Sequence, residues 1–174
     1  MGLPGHKMAH IALDAIDRDI LIALQANARL PNNDLAAAVG LSPSPCLRRV
    51  RRLEKLGVIT GYSALLNRNR VGVGLTAFVS VDIERNRKAE TDLLRAQIQA
   101  LPEVVAAHIV TGDSDFLLEV ATANLETFSQ FVLGVLNKLP GVKGVRSNIS
   151  LDVVKHAAAL PIPPIELPAQ SASR

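Results

Sequence analysis

Apolar residues in this chain recur first at helical and then at strand spacing, and the change of period divides it. Ile16, Ile20, Ala23 and Leu24 fall three and four residues apart behind Asp14 and Asp17, where negative charge favours a helix start. Asn27 to Pro31 interrupts that pattern, and the stretch from Asn33 to Gly40 predicts a second, short helix, capped by Asn32 or Asn33 and ended by Gly40. A third helix opens at Ser42 or Ser44, each followed by a proline that wastes no hydrogen bond in a first turn, and stops at Gly57. Projected at about 100° per residue, Cys46, Leu47, Val50 and Leu53 share one side, while Ser44, Arg48, Arg51, Arg52 and Lys55 share the other, with Arg49 at the boundary. Two helices joined by a tight turn containing glycine make a helix-turn-helix, whose second helix enters the major groove. Val58 to Leu66 is rich in β-formers and predicts a strand pair or wing beside it.

Beyond a connector at residues 67–74, whose Arg68 and Arg70 suit phosphate or solvent equally, the period falls to two. Leu75, Ala77, Val79, Val81 and Ile83 face one way, and Thr76, Phe78, Ser80 and Asp82 the other. Helical spacing returns from Lys88 to Leu101, with Leu93, Leu94, Ile98 and Leu101 inward, and from Leu125 to Leu139, with Leu125, Phe128, Val132, Val135, Leu136 and Leu139 inward. Strands are predicted from Val104 to Val110, Phe116 to Ala121 and Val142 to Val154. Leu101-Pro102-Glu103-Val104 and Leu139-Pro140-Gly141-Val142 each end a helix and open a strand, so the order β-α-β-β-α-β divides into two similar halves. That is the ferredoxin-like arrangement, which covers one sheet face with helices and leaves the other bare. With Phe78 on the bare face, a homodimer is expected. The fold class is therefore α+β. Its boundaries are expected at 1–12 (flexible start), 13–66 (winged helix-turn-helix), 67–74 (linker), 75–156 (ferredoxin-like domain) and 157–174, an extended or disordered tail carrying Pro161, Pro163, Pro164 and Pro168.

Charge sharpens this division. Residues 1–74 hold ten Lys and Arg against five Asp and Glu, net +5, whereas residues 75–174 are net −2. A polyanionic partner for the first part alone is the natural reading, although an exposed helix carries arginine for solubility too. The single cysteine, Cys46, excludes an intrachain disulfide and thiolate metal clusters, sits on the apolar side of its helix, and suits a reducing cytoplasm. No apolar run is long enough to span a bilayer, and the first ten residues lack the apolar centre of a signal peptide. No phosphate loop, paired carboxylates or nucleophile constellation is present, and no cofactor is expected. Gly112-Asp113-Ser114-Asp115 reads from its residues as a hairpin turn, and His108 as a packed side chain of the sheet.

Three segments in this order resemble the Lrp/AsnC family of transcriptional regulators. They are Val39 to Glu54, Gly57 to Asn67 and Thr111 to Leu118, within a match from Leu13 to Ile162. The resemblance implies a winged helix-turn-helix joined to a ligand-responsive ferredoxin-like domain, dimers pairing through that domain, octameric rings, double-stranded DNA as partner and an amino acid as effector. It places Asn32, Asn33, Ser42, Ser44, Pro45, Arg48, Arg49 and Arg52 nearest the duplex, to which the helical projection adds Arg51 and Lys55. It also implies an effector pocket around Gly112, Asp113, Ser114 and Asp115 with Ser147 nearby, where Asp113 or Asp115 would take the ammonium group. Two other functions compete. A nucleoid protein that wraps DNA with little sequence preference would use the same helix. A haem-biosynthetic decarboxylase of similar two-part fold would not, and His6, His10, His108 and His156 form no haem-ligating spacing.

Overall fold

The computed structural model describes residues 11–84, 88–155 and 159–163, which fall into two compact units. Among the described residues, one comprises 11–64 with 155 and 159–163, the other 65–84 and 88–154. The expectation for the first ten residues, and for the tail beyond Pro163, lies outside the described residues.

The first unit holds α1 (Ala15–Ala26), α2 (Asn32–Ala38) and α3 (Pro43–Lys55). Asp14 caps α1 through a capping box: its Oδ1 accepts the Asp17 amide at 2.8 Å, and the Asp17 carboxylate receives the Asp14 amide. Neither asparagine caps α2; Pro31 stands at its N-cap and Asn32 is already helical. Ser42, not Ser44, is the N-cap residue of α3, with Pro43 in the first turn, and its hydroxyl makes no capping bond. Both helix stops are Schellman turns. Gly40, at φ +68°, lets the Leu41 amide reach the Ala36 carbonyl, and Gly57, also at +68°, lets the Val58 amide reach the Leu53 carbonyl at 2.9 Å. Ile20, Leu21, Leu35, Ala36, Cys46 and Leu53 form the core, with Val50, Val58, Ile59 and Ile162 packed against it. Leu47, expected inward, is exposed, because the buried stripe of α3 is narrower than the projection allows.

Two differences concern the ends of this unit. Thr60 to Leu66 forms no strand pair: its residues are exposed, Leu65 by 91%, so no apolar face is buried to offset the cost of ordering a two-stranded ribbon. Residues 159–163, near the start of the expected extended or disordered tail, form no helix or strand and hydrogen-bond to α1. Gln25 brackets Leu160, donating to its carbonyl and accepting its amide at 2.6 Å, and Arg18 donates to the Ile162 carbonyl.

The second unit is one antiparallel sheet in the order β2-β3-β1-β4, from β1 (Leu75–Ile83), β2 (Val104–Ile109), β3 (Phe116–Thr122) and β4 (Val142–Ile149). Helices α4 (Lys88–Gln99) and α5 (Leu125–Gly134) join them in ferredoxin-like order. Val79 lies opposite Leu118, and Ala77, Val79, Val81, Phe116, Leu118 and Val120 pack against Leu94, Ile98, Phe128, Phe131 and Leu136. Leu93 and Leu125, expected inward, are exposed, whereas Phe131 is buried. The last strand stops at Ile149 rather than Val154. His108 is exposed on the edge strand rather than packed.

Candidate functional site

The tight turn between α2 and α3 sets how the basic helix is presented. Asn32 closes it, donating from Nδ2 to the Pro43 carbonyl at 2.9 Å, so the amide nitrogen of this half-buried side chain is occupied within the turn while Asn33 stays exposed. At the start of α3, Ser42 and Ser44 are exposed and Pro45 half-buried. A helix leaves its first amides without intrahelical partners. Pro43 and Pro45 have none to offer, so Ser42 and Ser44 provide the free donors of this turn.

Further along, the four arginines separate into two rows. Arg48, Arg51 and Lys55 are exposed and, among the described residues, form no ion pair. Arg49 and Arg52, one step around the helix, converge on the start of α1. Arg49 Nη1 reaches Asp14 Oδ2 at 2.6 Å and Asp17 Oδ1 at 2.8 Å; Arg52 Nη1 reaches Asp17 Oδ2 at 2.9 Å, and its Nη2 donates to the Ala12 carbonyl. The Asp17 side chain is 1% exposed. Bonding from the Asp17 amide and, against a smaller effect of partial burial, from Arg49 holds the Asp14 carboxyl below its ordinary range, and the two carboxylates raise Arg49 further. Sequence reasoning saw these aspartates as favourable charge at a helix start and missed the ion cluster. The signal available was the acid-x-x-acid box of α1 together with an arginine pair at i, i+3 on the edge of the basic face. Behind α3, the Tyr62 hydroxyl donates to Glu54 Oε1 at 2.9 Å; desolvation first, then that bond, pushes Tyr62 up to about 12.

In the second unit the Gly112–Asp115 turn joins the β2 and β3 strands, with Gly112 at φ +114°. Asp115 is built into the sheet: its Oδ2 accepts the Ile83 amide at 3.0 Å, its own amide donates to Val81, and its carbonyl accepts the Val110 amide. Asp113 is exposed and Ser114 half-buried. Arg146 of β4, a residue that sequence reasoning missed, donates to Ser114 Oγ at 2.7 Å and to the Asp113 carbonyl at 3.4 Å, and lies 3.6 Å from Asp82 Oδ1. Ser147 is the adjacent residue and faces the other side of the sheet, since Ser147 pairs with Val79 and Arg146 with Ser80. Within one chain it is Arg146, not Ser147, that meets the turn. An exposed carboxylate at Asp113 beside a guanidinium at Arg146 presents both charges that a zwitterion complements.

Two family matches fall on the two units. Residues 13–60 match a family described as winged helix-turn-helix DNA-binding, and residues 76–160 match the Lrp/AsnC ligand binding domain. The chain is 42% identical over 149 residues to the leucine-responsive regulatory protein of Haemophilus influenzae, covering 86% of this chain and 90% of that protein. It is 41% identical to the one from Rhizobium meliloti, covering 89% and 99%. Among solved structures, a transcriptional regulator from Neisseria meningitidis in complex with L-Met superposes with a TM-score of 0.83 at 39% identity, covering 86% of this chain and 97% of that one. An AsnC family transcriptional regulator from Agrobacterium tumefaciens superposes at 0.81 with 32% identity, covering 86% and 97%.

Proposed function

The chain belongs to the Lrp/AsnC family of transcriptional regulators, and on that premise we propose that it recognises defined operator sites in double-stranded DNA through the outer row of α3, under control of an amino acid bound by the second unit. It is a DNA-binding regulator with an amino-acid effector, and its relatives are regulators rather than enzymes. The single observation carrying the finer reading is that Arg48 and Arg51, directly after a tight helix-helix turn, point to solvent without a partner among the described residues. Their planar forks suit bidentate contact with guanine or phosphate, and the Ser42 and Ser44 groups, with Asn33, Pro45 and Lys55, complete the facing surface.

For the effector, Asp113 with Arg146 supports a zwitterionic ligand at the turn, with Gly112 and Ser114 shaping it; Ser147, on the opposite face of the sheet, would join such a site only through a second copy. The names of the relatives direct attention to leucine and methionine. The sheet face that no helix covers carries Phe78, 43% exposed, which supports pairing of two copies; the octamer rests on the family resemblance alone. Its working place is the cytoplasm, at the nucleoid.

Genomic footprinting at stated salt, followed by an amino-acid panel on one recovered site, tests this reading. Discrete repeated sites whose occupancy responds to an amino acid are expected. Uniform coverage without response would favour the DNA-wrapping role instead.

A further inference from the structure

We infer that Asp17 is a positioning residue for DNA binding: by holding Arg49 and Arg52 against the start of α1, it withholds two of the four arginines of α3 from the duplex and leaves Arg48 and Arg51 to meet it. This deepens the DNA-facing reading of α3 given above and rests on it. The geometry is specific. Each carboxylate oxygen of Asp17 takes one guanidinium, Oδ1 from Arg49 at 2.8 Å and Oδ2 from Arg52 at 2.9 Å, while the side chain itself is shut off from solvent. A buried carboxylate deprived of its partners is strongly unfavourable, because water cannot replace them. A phosphate that draws Arg52 or Arg49 away must therefore compete with that cost, whereas Arg48 and Arg51 approach phosphate with nothing to give up but water. Asp14 adds a second, exposed carboxylate to Arg49 at 2.6 Å, so Arg49 is held by two groups and Arg52 by Asp17 and the Ala12 carbonyl. The arrangement also fixes the α1 start to one edge of α3, which orients the outer row. Asp17 thus sets both the number of cations that reach the duplex and the face that carries them.

The salt dependence of binding separates this role from simple support of the fold. For B-DNA, the slope of log K against log salt changes by about 0.9 for each phosphate contact. Full-length protein is titrated onto a duplex of scrambled sequence across a salt series, with folding checked by circular dichroism. Arg48→Ala and Arg51→Ala are expected to make the slope shallower by about 0.9 each, and Arg49→Ala and Arg52→Ala to leave it as in the wild type. Asp17→Asn removes the only carboxylate partner of Arg52 among the described residues and one of the two of Arg49, so its slope becomes steeper, and the preference for an operator over the scrambled duplex falls. A purely structural role for Asp17 would weaken binding to both duplexes in parallel with the slope unchanged. That result in a folded Asp17→Asn protein, or a shallower slope for Arg49→Ala or Arg52→Ala, overturns the proposal while the DNA-binding surface stands. If Asp17→Asn does not fold, the four arginine variants decide alone. If Arg48→Ala and Arg51→Ala leave the slope unchanged, the surface assignment itself fails and this inference falls with it.

Discussion

The outer row of α3 and the Gly112–Asp115 turn are both short polar segments, yet their charged groups are committed to opposite degrees. On α3 a helix offers a new face every 100°, so two arginines serve the ion cluster at the α1 start while Arg48 and Arg51 stay open to a ligand. At the turn, Asp115 completes the backbone bonding of the sheet and Arg146 is shared among Ser114, the Asp113 carbonyl and Asp82, leaving the exposed Asp113 carboxylate. The difference teaches that a helix separates support from recognition by angle, whereas a turn asks the same few residues to do both. Under the proposed roles, a substitution on the outer row of α3 is expected to change binding alone, and one in the turn to change binding and stability together.

Four measurements test that contrast. Arg48→Ala has the largest expected effect: operator binding weakens by about 1–3 kcal/mol, roughly five- to 150-fold, with the melting temperature of the protein unmoved. An affinity unchanged at matched salt would remove Arg48 from the surface. Asp115→Ala leaves the Ile83 amide without its acceptor, so denaturant titration is expected to show a loss of about 1–3 kcal/mol even without effector. A variant as stable as the wild type would mean that this carboxylate is dispensable to the sheet. Arg146→Ala, at an exposed position, is expected to change stability by no more than about 0.5 kcal/mol but to weaken amino-acid binding about tenfold by calorimetry; equal affinities would separate Arg146 from the ligand. The smallest effect concerns Asp14, whose pKa is lowered in the folded protein. Its charge then contributes stability above the ordinary aspartate value of about 3.9, and the contribution is lost as pH falls through the lowered value. Asp14→Asn keeps a good cap but not the charge, so it should lie below the wild type by at most about 1 kcal/mol near neutral pH and meet it in acid. A gap that persists in strong acid would point to the cap rather than the charge.

Much of this was legible from the residues alone, and the misses share one cause. Strict alternation from Leu75 to Ile83 identified the central strand and its buried face, because a period of two has only two phases and one is apolar throughout. Helical stripes were less exact. Leu47, Leu93 and Leu125 lie within an apolar arc yet face water, while Phe131, which the arc omitted, is buried, since the arc gives a direction and the neighbouring element gives its width. The wing failed as a strand for a related reason: β-formers favour extension, but a ladder needs a second segment at its edge.

The candidate sites divide in the same way. Basic charge, exposure of Arg48 and Arg51 and the glycine stops of α2 and α3 follow from local spacing, since residues within a few positions of one another determine them. That Arg49 and Arg52 belong to Asp17, and that Arg146 rather than Ser147 meets the Asp113 turn, depends on segments about thirty residues apart brought within hydrogen-bond reach. The sequence by itself thus determined which elements form and which faces carry charge, through the fixed periods of helix and strand. Only the tertiary structure decided which charges are consumed as partners, because a buried carboxylate must be paired wherever the packing of α1 against α3 happens to leave it.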